Sequence, residues 1–259
     1  MIYRHFATVY DAFMGIVPYE EWAGYIDKAL RGNGVPTGAT VLDLACGTGT
    51  MAALMAQKGY EIIGVDASAD MLSEAYRKCS EIGIGNDINR DISRAILFLN
   101  QDMRDLDLYG TVSAAYATCD AMNYLLTDED FIIVLKKVAM FLEPDGVFVF
   151  DLKTDYKYRE LGENTYQDDN ARASYIWKNH YDPKTCINAY NVRFFVEGGG
   201  TFEEVHRQRA YSTEAVTAMA NEAGLRVVLI EDNYTEEPPN SDSTRLTYTC
   251  KALSPNPRR

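Results

Sequence analysis

Histidine is scarce in this chain of 259 residues: His5, His180 and His206 are the three, and no two are close enough to share a helix face. That spacing argues against a structural zinc site, which needs paired ligands, and no metal is expected. The five cysteines (Cys46, Cys79, Cys119, Cys186, Cys250) are odd in number, widely spread and never arranged C-x-x-C, as reduced thiols are rather than a disulfide framework. Basic residues are outnumbered, 25 Lys and Arg against 38 Asp and Glu, for a formal charge of −13. Such a surface repels a phosphate backbone, so nucleic acid is not an expected partner. No apolar run approaches the roughly 18 residues of a membrane span, and no membrane partner is expected. The opening MIYRHFATVYDAFMG places charge where a signal peptide needs an apolar core, so a cytoplasmic location is the expectation. Repeats are lacking too, and low-complexity sequence is confined to residues 236–244 and 254–259, both read as loop.

What is present is 47% hydrophobic residues in a chain long enough for one large α/β domain. From Ile2 to about Leu30, Phe6, Tyr10 and Phe13, then Trp22, Ile26 and Leu30, recur at three- and four-residue spacings on either side of Pro18, which predicts two helices with a break. Strands at Thr40–Ala45, Tyr60–Val65, Ile96–Asn100, Val112–Ala117 and Val147–Asp151 then alternate with helices at Thr50–Lys58, Ala69–Cys79 and Asp128–Leu142. Alternation of this kind predicts a doubly wound, mostly parallel sheet. After Asp151, runs at Ala173–Tyr181, Ile187–Val196 and Thr201–Tyr211, joined by Asp182-Pro-Lys-Thr185 and Gly198-Gly-Gly200, read as an antiparallel meander. A helix at Thr213–Ala223 and strands at Leu225–Glu231 and Arg245–Ala252 resume the first pattern. The expected organisation is therefore a seven-stranded core from residues 1–152 and 212–259, including N-terminal lid helices to about residue 32, interrupted by a β-subdomain at 153–211.

The stretch VLDLACGTGT, residues 41–50, ends a strand in a glycine loop, and Asp66 follows at the end of the next strand. Gly47 and Gly49 let the backbone approach a ligand, and Asp66 can accept from ribose hydroxyls. Neither feature separates NAD from another adenosine ligand. Asp43 does: a carboxylate inside the strand end is a poor neighbour for a pyrophosphate but suits a cationic amine, which S-adenosylmethionine (SAM) has. Asp102 follows the third strand, where it could accept from the adenine amine while Met103 packs on the ring.

These motifs, with Gly64-Val-Asp-Ala-Ser68, Asp70-Met-Leu72, Gln101-Asp-Met103 and Leu142-Glu-Pro-Asp-Gly-Val147, resemble the class I SAM-dependent methyltransferases in consistent order from Tyr3 to Asp151. The resemblance implies a Rossmann-like fold, SAM as cofactor and S-adenosylhomocysteine as product. It places Asp43, Ala45, Gly47 and Gly49 at the amino-acid end, Asp66 on the ribose, Met71, Asp102 and Met103 on adenine, and Cys119 and Asp120 near the ligand's middle. Cys46, Thr48 and Ala67 are included among the cofactor-binding residues. Ile82–Arg94 departs from the pattern as a longer, polar link, read as a surface insertion.

Methyl transfer is an in-line displacement, so the chain mainly has to juxtapose donor and acceptor and exclude water. Val9-Tyr-Asp11, Tyr19-Glu-Glu-Trp22, Asn123-Tyr-Leu125 and Glu204–Tyr211 resemble small-molecule N-methyltransferases with an N-terminal lid and a late β-insert, such as glycine N-methyltransferase and the deoxyaminosugar N,N-dimethyltransferases. That likeness implies Tyr10 closing over SAM with Trp22 in the same lid. On Thr201–Tyr211, Glu204, His206 and Gln208 share a face that is either solvated or lines a polar pocket. His206 is the candidate base in the second case; Asn123 and Tyr124, at the sheet's carboxyl edge, are the other catalytic candidates. The expected partner is a small-molecule acceptor, a cationic amine being favoured by the acidic surface, with nitrogen ahead of oxygen as the atom methylated. Monomer and homodimer are both open. The competing readings are a SAM-binding regulatory protein without turnover and a nicotinamide-dependent oxidoreductase.

Overall fold

The computed structural model describes residues 7–82, 96–169, 173–196 and 200–253. The polar link after Ile82, Gly198 and Gly199 of the expected turn, and the tail from Ser254 lie outside the described residues. The chain opens with a short helix α1 (Ala7–Phe13), a 3₁₀ turn (Met14–Ile16) and α2 (Tyr19–Gly32). Pro18 breaks the two as expected, and α2 buries Trp22, Ala23, Ile26 and Leu30 along one stripe. Glu20 and Glu21 in its first turn and Arg31 in its last complement the helix dipole.

The core follows as β1 (Thr40–Leu44), α3 (Thr50–Gln57), β2 (Glu61–Asp66), α4 (Ala69–Ile82), β3 (Ile96–Asn100), β4 (Val112–Ala117), α5 (Asp128–Phe141) and β5 (Leu142–Lys153). Thr127 caps α5 by accepting from Asp130 N at 3.1 Å. Then come α6 (Asp155–Leu161), β6 (Thr165–Asp169), β7 (Ala173–Asp182), β8 (Ile187–Val196), β9 (Gly200–Arg209), α7 (Thr213–Glu222), β10 (Leu225–Asp232) and β11 (Arg245–Ala252). The large sheet has seven strands in the order β10-β11-β5-β4-β1-β2-β3. Its members are parallel from β3 to β5, while β11 and β10 are antiparallel. This is the doubly wound sheet that the sequence predicts. Apolar side chains cover both faces, with Leu42, Leu44, Phe148 and Phe150 on one and Val41, Tyr116 and Val149 on the other. The order reverses between β1 and β4, and ligands bind outside the carboxyl ends of strands at such a point.

The second sheet, β6-β7-β8-β9, is antiparallel. Helix α6 and strand β6 are not anticipated in the sequence, because seven residues are too few to show a helical period. Burial of Tyr158 and Leu161 and the Thr154 cap on Lys157 N hold α6 instead. Strand β5 runs past Asp151 to Lys153, and its register sets Lys153 opposite Arg245 and Asp151 opposite Thr247 on β11.

Gly64 lies beside Asp43 in β2, where an added Cβ would stand 2.6 Å from Phe98 Cδ1 and 3.0 Å from Cys46 Sγ. Overpacking of this kind costs about 1–3 kcal/mol. Gly64→Ala is expected to lower unfolding stability by that amount in urea titrations; no change would show that Phe98 yields freely.

Candidate active site

Two cavities meet at the carboxyl edge of the large sheet. The first, about 550 Å³, lies over the ends of β1, β2 and β3 and is lined by Ala45, Gly47, Asp66, Ala67, Ser68, Met71, Gln101, Asp102, Met103 and Arg104. Gly47 has φ +53° and nothing within 4 Å of where a Cβ would be, so the loop's inner face is open to a ligand. Asp66 accepts from Gly47 N at 2.9 Å and from Ser68 N at 2.8 Å. Burial raises its carboxyl above the usual range, and those two amides oppose the shift. Asp102 is tied to Arg104, accepting from its backbone N at 2.9 Å and its guanidinium at 2.6 Å. The guanidinium bond holds the Asp102 carboxyl below the ordinary range.

The second cavity, about 340 Å³, opens between α1, α2, the end of β4 and the small sheet. Its walls are largely aromatic: Tyr10, Phe13, Trp22, Tyr124, Trp177 and Tyr190. Tyr10, Cys119 and Tyr124 line both cavities and form the boundary between them. The face of β9 left open between solvent and pocket turns inward. Glu204, His206 and Gln208 are buried, while Val205 between them is half exposed. Tyr124 Oη and His206 Nδ1 are 3.1 Å apart. Glu204 Oε2, buried and without an aligned hydrogen bond, stands 3.1 Å from His206 Nε2.

The floor of this cavity is a charge cluster. Asp120 pairs with Arg245 at 2.9 Å and Lys153 at 3.0 Å, and accepts from Gln208 Nε2 at 2.5 Å. Gln208 Oε1 in turn accepts from Tyr158 and Tyr190 at 3.0 and 2.8 Å. Arg245 also pairs with Asp151, which accepts from Asp120 N at 3.0 Å and Tyr234 Oη at 2.8 Å. Burial pushes the Asp120 carboxyl up, but the charges of Lys153 and Arg245 outweigh it and hold it below the usual range. Burial acts to lower Lys153, and Asp120 more than reverses that, so the ammonium stays charged. Cys119 and Asp120 both take positive φ, 58° and 55°, a conformation that costs a non-glycine residue on the order of 1–3 kcal/mol.

A family model described as a methyltransferase domain matches residues 41–146. YqeM of Bacillus subtilis, which carries a provisional methyltransferase name, is 34% identical over 97% of this chain and 97% of its own. The crystal structure of a S-adenosylmethionine-dependent methyltransferase from Clostridium acetobutylicum has a TM-score of 0.83 and 27% identity, covering 97% of this chain and 99% of that one. The chain belongs to the class I SAM-dependent methyltransferases. The dTDP-3-amino-3,4,6-trideoxy-alpha-D-glucopyranose N,N-dimethyltransferase of Streptomyces venezuelae is 28% identical over 87% of this chain and 92% of its own.

SAM is therefore this methyltransferase's cofactor, and the first cavity fits it. Its volume lies in the range of ligand sites, its loop face is open at Gly47, and Asp66 offers carboxylate oxygens beside the apolar Met71 and Met103. Several sequence expectations fall elsewhere. Asp43 does not line the cavity. It is 1% exposed, faces Tyr116, and burial raises its carboxyl to about 8, so it stands inside the sheet. Cys46 is turned under Gly64, and Gly49 abuts Ala75 and Phe98 as the left-handed residue before α3. Thr48 is buried and donates to Asp11. Trp22 and Asp120 line the second cavity rather than the first. Asn123 reaches neither, since its side chain bonds Lys153 N and O and Arg209 O, fastening β5 to β9. Ser68, Gln101, Arg104, Lys153, Tyr190 and Arg245 line the cavities without having been singled out in the sequence. Arg245 opens a strand that also holds Lys251, Thr247 and Thr249, so nothing in the local sequence marks it.

Two outcomes follow from this geometry. Asp66→Ala is expected to weaken SAM binding in calorimetry at least tenfold, about 1.4 kcal/mol, because one carboxylate holds the loop and faces the ligand; unaltered affinity would remove Asp66 from the site. Asp43 keeps its proton to about pH 8 when folded, whereas an unfolded Asp loses it near 4. The folded state thus binds the extra proton in between, and stability falls as pH rises across that window. In Asp43→Asn this fall is expected to be shallower than in the wild type by denaturant titration at several pH values; equal slopes would place the titration elsewhere.

Proposed function

We propose that this methyltransferase acts on a nitrogen of a small molecule held in the aromatic cavity. The observation that carries the reading is the series Tyr124, His206, Glu204, which starts from half-buried Tyr124 at the boundary of the two cavities and runs to buried His206 in the second cavity's wall and buried Glu204 behind it. In the His206 tautomer with its proton on Nε2, 3.1 Å from the Glu204 carboxylate, Nδ1 is free to accept from the Tyr124 hydroxyl. Bound SAM supplies an electrophilic methyl group on a sulfonium. An amine that arrives protonated must lose a proton before it can attack, and the Tyr124 oxygen takes it as Tyr124's own proton passes to Nδ1. The nearby Glu204 charge stabilises the imidazolium so formed. Tyr10, Trp22 and the walls from the small sheet keep water out. A cavity volume of about 340 Å³ suits a small acceptor. The named activity of the Streptomyces venezuelae relative, an aminosugar N,N-dimethyltransferase, supports nitrogen over oxygen.

The test pairs a panel of small primary and secondary amines with matched phenols and alcohols, read by mass spectrometry after incubation with SAM. Methylated amines are expected; turnover confined to the hydroxyl compounds would overturn the choice of nitrogen. With an accepted amine, His206→Ala and Tyr124→Phe are expected to lower kcat about 10²-fold or more near neutral pH, with partial recovery at high pH where the amine is already neutral. A pH-independent loss would instead mark both residues as shaping the pocket.

A further inference from the structure

Helix α1 has only seven residues, far fewer than an isolated helix needs, so its place is set by what grips it. On one side Asp11 is the grip. Its Oδ1 accepts from the Thr48 hydroxyl in the glycine loop at 2.7 Å, and its Oδ2 pairs with Lys78 of α4 at 2.7 Å. Lys78 also donates to Thr48 Oγ1 at 3.0 Å and Thr50 Oγ1 at 2.6 Å, so all three ammonium protons have acceptors. The Lys78 side chain is 17% exposed and that of Asp11 41%, so the contacts to Thr48 and Thr50 are sheltered while the ion pair itself stays open to solvent on the Asp11 side. On the other side Phe13 meets Tyr175 edge-on at 4.9 Å. Between the two grips stands Tyr10, a wall of both cavities.

We infer that Asp11, Lys78 and Thr48 are positioning residues: a polar latch that fastens α1 to the glycine loop and so holds Tyr10 over the cofactor. The inference rests on the reading of the first cavity as the SAM site. Cofactor entry requires α1 to lift, and the latch sets the fraction of molecules in which it is closed. Thr48 thereby affects SAM through Asp11 rather than by touching it.

Asp11→Asn, Lys78→Met, the double variant and Asp66→Ala are compared with the wild type by calorimetry with S-adenosylhomocysteine. Hydrogen exchange of the ligand-free proteins is followed by mass spectrometry. If each single change lowers the closed fraction to about one-tenth, affinity falls about tenfold. The double variant is expected to lose no more than either single one, since both open the same latch. Peptides covering α1 should exchange faster in these variants while those covering α2 do not, which a general loss of folding would not produce. Wild-type affinity in Asp11→Asn and Lys78→Met, beside weakened binding in Asp66→Ala, would overturn the latch alone. Wild-type affinity in all of them would overturn the assignment of the cavity and the latch with it.

Discussion

The buried carboxylate of Asp120 is the constraint on which the second, aromatic cavity depends. A charge at that depth is tolerable only if it is paired and hydrogen-bonded, and removing one partner of such a pair costs about 3–5 kcal/mol. Its partners come from three strands: Lys153 from β5, Arg245 from β11 and Gln208 from β9. The first two belong to the large sheet and the third to the small one. The requirement to neutralise one carboxylate thus clamps the two sheets together above the catalytic edge. Gln208 passes the constraint on, because an amide that donates to Asp120 must present its carbonyl to Tyr158 and Tyr190.

This clamp gives the two cavities different characters. The cofactor side is built mainly from backbone turns at strand ends, with Asp66 accepting from Gly47 N of the glycine loop and from Ser68 N of the turn after its own strand. The acceptor side is built from side chains that meet across long sequence separations, as Tyr124 and His206 do. Among the described residues, Tyr10, Cys119 and Tyr124 belong to both. Burial first, and then the Asp120 charge, raise the Cys119 thiol to about 11. It therefore stays neutral at the boundary between the cavities.

The large sheet was legible because its strands are apolar runs separated by amphipathic helices, and the glycine loop because Gly47 and Asp66 lie within one β-α-β unit. Asp43 misled for a physical reason: a lone acid in an apolar strand reads as a ligand-facing group, yet period two equally allows it to point into the sheet toward Tyr116. The face carrying Glu204, His206 and Gln208 was visible as a face, but its side of the small sheet was not, because one strand's alternation does not say what covers it. Lys153 and Arg245 are set opposite one another by strand register between β5 and β11, a long-range pairing that local sequence does not encode. Asn123 and Thr48 were near the right places but hold backbone and helix in position instead of ligand.

The position of Arg245 on the last strand has a consequence during synthesis. The described residues lining the cofactor cavity lie between Tyr10 and Leu125, so those parts leave the ribosome early. Asp120 and Asp151 emerge long before the cation that both require. At elongation rates of about 5–20 residues per second, the two acids spend several seconds in water without it. The second cavity is therefore the later of the two to have its lining synthesised, since it needs residues up to Arg245.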